Sequence, residues 1–302
     1  MFIKKTTSFD CSLLSPALRC LLKTAASKRI GRLPQLPFLR FILCFGLILF
    51  SLIGLRANGL VVAQEPDSPT WSYPIQAAIE SGQYDKAEKL ATEAVTQWPN
   101  YWRVYLTRGE AYFRAGKIAE SMSDLDECLK LNPQIAPSFW QRGLTLYYAG
   151  KFQLGREQFE LHRSVNPNDV ENPFWHFLCV AKLEGVEVAR KNILPCGLDG
   201  RPPLMEILDL IKGTKSFEEV AKSIADMESL PSKNASAIFY GNYYLGLYLD
   251  ALGEPKKAEK FLAKSVAAKL PGYMPDAARV HLDLLRAGKL PEATQKPSPL
   301  VE

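Results

Sequence analysis

The chain is short of the residues that do chemistry. It has three histidines, His162, His176 and His281, placed in separate predicted helices with no cysteine or carboxylate at ligand spacing, so the sequence points to no metal centre. A glycine-rich phosphate loop, an HExxH pair and a GxSxG turn are all missing, which removes the sequence signatures of nucleotide hydrolysis, zinc proteolysis and α/β-hydrolase chemistry. The acid pair Glu218-Glu219 stands at a predicted helix start, where it complements the helix dipole. We therefore expect no enzyme and no cofactor, although triads are assembled in space rather than in sequence. Long apolar runs are scarce too. One uncharged stretch, Phe41 to Leu55, is the single candidate membrane segment, so a multi-span membrane protein is excluded. A composition that is 47% apolar and 23% charged excludes collagen-like and disordered chains and supports a sizeable core.

The net charge of +5 over 302 residues invites a nucleic-acid reading, but its distribution refuses one. Nine basic residues and one acid fall in the first 63 residues, a net of +8, while the remainder carries 28 basic and 31 acidic residues, a net of −3. The basicity belongs to the leader. Positive residues, then the run FILCFGLILFSLIGL between Arg40 and Arg56, then Val61-Val62-Ala63 before Gln64 make the three parts of an export signal. Ala57-Asn58-Gly59 is a second candidate cleavage site. An uncleaved signal anchor running to about Ala63 is the competing reading, with Arg56 snorkelling to the interface. In both, the positive residues stay inside and the chain after Gln64 is exported. Cys44 lies within the apolar run, so no lipobox is present. Cys128, Cys179 and Cys196 remain beyond the leader. An odd number excludes a full disulfide framework, and either Cys179 pairs with Cys196 or all three are small buried hydrophobes.

An internal period organises the rest. Pro99, Pro133 and Pro167 are 34 residues apart; Gly82, Gly116 and Gly150 share that spacing, and so do Gly109 and Gly143. These series resemble the tetratricopeptide repeat, a helix–turn–helix unit of that length. With the prolines at position 32, units begin at Ser68, Trp102 and Ala136. Small residues at positions 8 and 20 let paired helices approach, large ones at 4, 11 and 24 fill the space between, glycine at 15 ends the first helix and proline stops the second. Pro74 and Ile75 make the first unit atypical, as a capping repeat should be; Gly155 and His162 replace alanine in the third.

The predicted fold is all-α: a tetratricopeptide helix-turn-helix solenoid with a degenerate helical middle and a C-terminal capping helix. Its expected parts are a leader at 1–63 and a repeat domain at 64–289, with repeats near 68–101, 102–135 and 136–169, a degenerate segment 170–235, a repeat at 239–272 and a cap helix at 275–287, followed by a polar tail at 290–302. This plan, with the stretches FWHFLCVAKLEG and FYGNYYLGLYLDALG, is similar to that of the NlpI-type repeat lipoproteins of the bacterial cell envelope. The resemblance implies an adaptor in the periplasm that docks a processing protease or cell-wall hydrolases, and it implies a homodimer. The missing lipobox departs from the pattern. A role in outer-membrane protein assembly is the alternative, and an undetected envelope hydrolase the alternative of another class. Partners are then envelope proteins or peptides, not nucleic acid, with a membrane engaged only through an uncleaved leader.

The resemblance also places a concave groove on first-helix positions 2, 5, 9, 12 and 13. The candidate groove residues are Leu106, Phe113 and Arg114 in the second unit, Trp140, Leu144, Tyr147 and Tyr148 in the third, Phe174 in the degenerate segment and Tyr243 in the last repeat. Such aromatics suit a peptide or helix held by apolar anchors, unless the middle helices or the C-terminal helix fill the groove. Repeats that clamp a chaperone's terminal carboxylate carry lysine and asparagine at positions 5 and 9. Leu106, Trp140, Glu110 and Leu144 stand there, which disfavours that mode.

Overall fold

The computed structural model describes residues 69–232 and 234–294. The leader, with its apolar run and its two candidate cleavage sites, and the end of the tail lie outside the described residues. Among the described residues no helix is long and apolar enough to cross a membrane. They form the α-helices α1 Tyr73–Glu80, α2 Tyr84–Gln97, α3 Trp102–Arg114, α4 Ile118–Leu131, α5 Trp140–Tyr148, α6 Phe152–His162, α7 Glu171–Glu184, α8 Val186–Lys191, α9 Leu204–Lys212, α10 Phe217–Ser229, α11 Ala235–Ala251, α12 Pro255–Ala267 and α13 Tyr273–Arg286. Short 3-10 turns span Pro69–Trp71 and Pro133–Ser138.

The helices pack as successive antiparallel pairs, α1 with α2, α3 with α4, α5 with α6 and α11 with α12. One turn closes all four. Gly82, Gly116, Gly150 and Gly253 adopt φ of +70°, +75°, +70° and +76°, a left-handed conformation that glycine enters without a Cβ clash. The next N–H donates to the carbonyl five residues back, Gln83 to Ala78, Lys117 to Tyr112, Lys151 to Leu146 and Glu254 to Leu249, at 2.8–2.9 Å. In three of these pairs the helices meet on a glycine, Gly109, Gly143 or Gly246. A Cβ at Gly143 would lie 2.7 Å from the Phe159 ring, and one at Gly246 would lie 2.6 Å from Leu262 Cγ. In the first pair, where no such glycine stands, Ala87, Ala91 and Ala94 supply the small surface beneath Ile75 and Ile79.

The third unit departs from the repeat. Pro137 falls inside the Pro133–Ser138 3-10 turn and disfavours α-helix at the residue before it, so α5 begins at Trp140 rather than near Ala136. The carbonyls freed by this break are met from α6: Gln158 Nε2 donates to the Ala136 carbonyl at 2.7 Å, and His162 Nδ1 lies 2.8 Å from the Pro137 carbonyl. His162 is a buried structural residue. Gly155 is small because α7 crosses there, with Cys179 Sγ 2.9 Å from where its Cβ would sit. That thiol is buried and Cys196 half-buried, and both are free. Of the two alternatives the structure has the free, buried thiol for Cys179, which packs into the α6–α7 contact, where burial pushes it well up.

Two helices, α7 and α11, are apolar nearly all round and form the centre of the core. Such helices have no solvent face and need partners on every side. α7 contacts α5, α6, α8, α9 and α11, while α11 contacts α7, α9, α10 and α12. Short α9 and α10 cover α11; α10 starts at a capping box in which Ser216 Oγ accepts from the Glu219 N–H and the Ser216 N–H donates to the Glu219 carboxylate.

Candidate partner-binding groove

The faces of α3 and α5 that carry the proposed groove positions are covered by α13. Tyr273, its first residue, stacks on Phe113 at 5.2 Å between ring centroids and meets Trp140 edge-on at 4.9 Å. The Arg114 guanidinium lies 5.0 Å from the Tyr273 ring and 3.5 Å from Asp276. Asp276 also accepts from the Tyr84 hydroxyl at 3.0 Å, Arg279 lies 4.8 Å over the Tyr84 ring, and Arg279 donates to the Arg114 carbonyl. Deeper in, Tyr148 Oη sits 3.2 Å from His281 Nδ1. Residues after α13 continue over α7, where the Thr294 N–H and hydroxyl both donate to the Lys182 carbonyl at 2.8 Å.

His281 is fully buried. Burial lowers its pKa to about 4, outweighing Asp250, which raises it, and acting with Lys182, which lowers it. Burial likewise holds Tyr148 far above the ordinary phenol range. At neutral pH this contact is therefore a hydrogen bond between uncharged groups.

Each predicted groove residue has a defined place. Phe113, Leu144, Tyr147, Phe174 and Tyr243 are at most 1% exposed. Tyr147 packs among Tyr148, Phe152 and Trp175, and Phe174 lies 4.6 Å from the Tyr244 ring. Tyr148 and Arg114 are buried under α13. Leu106 is half-buried against the cluster of Met122, Leu125 and Cys128, and Trp140 is half-buried beside Tyr273. The chain itself fills the groove at these positions. The sequence missed Tyr273, Asp276 and Arg279 as the residues that fill it; an amphipathic pattern tells that a helix buries a face, not which surface receives it.

Recesses remain beside these helices among the described residues. A cleft of about 410 Å³ opens between the first repeat and the turn before α13, lined among others by Gln76, Glu80, Tyr84, Lys269, Asp276 and Arg279. A smaller cavity of about 250 Å³ lies among α5, α6, the start of α7 and Met274 of α13. At its rim Arg201 is a hub, bonding Asp169 (2.6 Å), Glu171 (2.7 Å) and Asp199 (2.6 Å). Asp199 is lowered, its hydrogen bonds from Arg201 and the Val170 N–H overcoming the opposing effect of burial. Glu171 moves the other way, to about 7, because burial and the charge of Asp169 outweigh Arg201. Nothing in the sequence singled out Arg201, which sits in a loop after Pro195 and Gly197. Among the described residues no group of three or more His, Cys, Asp or Glu is placed to hold a metal ion.

Residues 75–134, from α1 to just past α4, match a tetratricopeptide repeat family model. The chain is also similar to the Hsp70-Hsp90 organizing protein of Triticum aestivum, 25% identical over 88 residues. That match covers 29% of this chain and spans only 15% of the relative's length. Repeats of this kind suggest a protein-interaction scaffold.

Proposed function

We propose that this tetratricopeptide-repeat protein is an exported, non-catalytic adaptor of a cell envelope, similar in plan to the NlpI-type proteins, and that it holds another envelope protein such as a protease or cell-wall hydrolase. The observation that carries the reading is the repeat stack itself. Four glycine-closed helical pairs build the scaffold, α13 covers Phe113, Trp140 and Tyr148, and the cleft beside the first repeat stays open. Export is supported by the leader: +8 of charge and one apolar run precede a body of net −3, the arrangement that keeps the start inside and sends the remainder out.

In this reading α13 occupies the place that an anchored helix from a partner would take, and the partner engages the open cleft instead. The cleft is mixed in charge, with Glu80 and Asp276 against Lys269 and Arg279, which suits a polar segment rather than an apolar helix. The test is isolation of the full chain from its own cells after mild crosslinking, with sequencing of its N-terminus. The adaptor reading expects an envelope protein in fixed stoichiometry and an exported form that starts near Gln64 or retains Met1 as an anchor. Recovery from the cytoplasm with Met1 retained and no membrane association overturns the export assignment.

A further inference from the structure

The cavity beside α7 has walls of two kinds. One side is apolar, made by Trp140, Leu144, Phe159 and Met274; the other carries Asp169, Glu171 and Arg201. Between them stand Asn172 and Trp175, which are 3% and 1% exposed. Neither atom of the Asn172 amide has a hydrogen-bond partner, and neither does Trp175 Nε1. Buried polar groups are nearly always satisfied, so orphans of this kind mark a position where a partner is missing. The volume of about 250 Å³ falls below the ~300–1,000 Å³ of sites for drug-sized ligands, which fits one side chain.

The charge at the rim selects among side chains. Arg201 is already committed, with Nε, Nη1 and Nη2 all donating to carboxylates, so it has little left for an anion. Three carboxylates around one guanidinium leave an excess of negative charge. Burial, and after it the charge of Asp169, push Glu171 up to about 7, and a cation in the cavity offsets the second of these. Indole faces and aliphatic walls suit the stem and head of such a group.

We propose that this cavity receives a cationic side chain, the guanidinium or ammonium of an arginine or lysine presented by a bound polypeptide, with Glu171 and Asp169 facing its charge and Asn172 Oδ1 accepting a hydrogen bond from it. The source of that side chain rests on the adaptor reading; the chemistry of the cavity does not.

The experiment follows the Trp175 indole N–H signal of the full chain by NMR during titration with N-acetyl-argininamide, N-acetyl-lysinamide and the uncharged N-acetyl-norleucinamide. The expected result is a saturable shift with a cationic amide, weaker by about ten-fold or more with norleucinamide and in Glu171→Gln, since removing one partner of a buried charge pair costs at least that much. No shift with any amide overturns the proposal, leaving a cavity that holds only water. Equal binding of norleucinamide also overturns it, because the pocket is then merely apolar. Spermidine displacing both cationic amides overturns the side-chain assignment. The three ligands are compared on the unaltered protein, so the outcome stands even if Glu171→Gln folds poorly. A negative titration leaves the adaptor reading intact, and failure to find a protein partner leaves a positive titration intact.

Discussion

His281 and Glu171 are buried ionisable groups displaced in opposite directions, and they give the molecule opposite responses to pH. His281 lies at about 4 when folded, against 6.5 unperturbed. The unfolded chain then binds the extra proton first, so the stability this site contributes is full above about pH 6.5 and is lost as pH falls toward 4. The loss is about 1.4 kcal/mol per pH unit for one proton. Glu171 lies at about 7 against 4.5, so its contribution is full below about 4.5 and is lost as pH rises through 7. The two effects oppose each other between about pH 4.5 and 6.5, so they are separated by variants. The stability advantage of the native chain over His281→Gln should shrink as pH falls through this window, and its advantage over Glu171→Gln should shrink as pH rises. Urea denaturation at half-unit pH steps measures both, and parallel curves for native and variant chains would contradict the assignments.

At the scale of elements, the paired helices are held by the contact between positions 8 and 24 of each unit. In Gly246→Ala the new Cβ would lie 2.6 Å from Leu262 Cγ and 3.1 Å from its backbone N. Overpacking of this kind costs about 1–3 kcal/mol, against at most ~1 kcal/mol regained from helix propensity. A lowered urea midpoint is expected, and a raised one would mean that α11 and α12 are not closely apposed. This contact was legible in the sequence, because the repeat pattern sets a glycine against a large residue in the second, third and last units, Gly109, Gly143 and Gly246 against Leu125, Phe159 and Leu262. The turn glycines were legible for the same reason. The start of α5 was not: Pro137 sits at the second position of its unit and turns the expected first helical turn into a 3-10 segment. Gly155 departed from the repeat pattern in the sequence without a reason; the reason is Cys179 of the next helix. The destination of α13 was left open as well. Its apolar face demanded a partner, but only the distances from Tyr273 to Phe113 and Trp140 identify that partner.

At the scale of the molecule, the aromatic residues that looked like a groove for a ligand are filled by the chain itself: Phe113, Trp140 and Tyr148 seat its last helix, while Tyr147 and Phe174 pack into the core beside α6, α7 and α11. Trp140→Ala with Tyr147→Ala is for that reason no probe of partner binding: Tyr147 is 1% exposed among three aromatic neighbours, and its removal excavates the core. The open surface lies elsewhere, in the cleft at the first repeat. The most direct test of the adaptor account places a photo-crosslinking residue at Gln76, which lines that cleft, and in a separate chain at Leu198, which is 79% exposed in the loop after α8. Illumination in the source cells should give one discrete protein adduct at position 76 and none at 198. Adducts confined to position 198, or a chain that forms none at either site, would contradict the account.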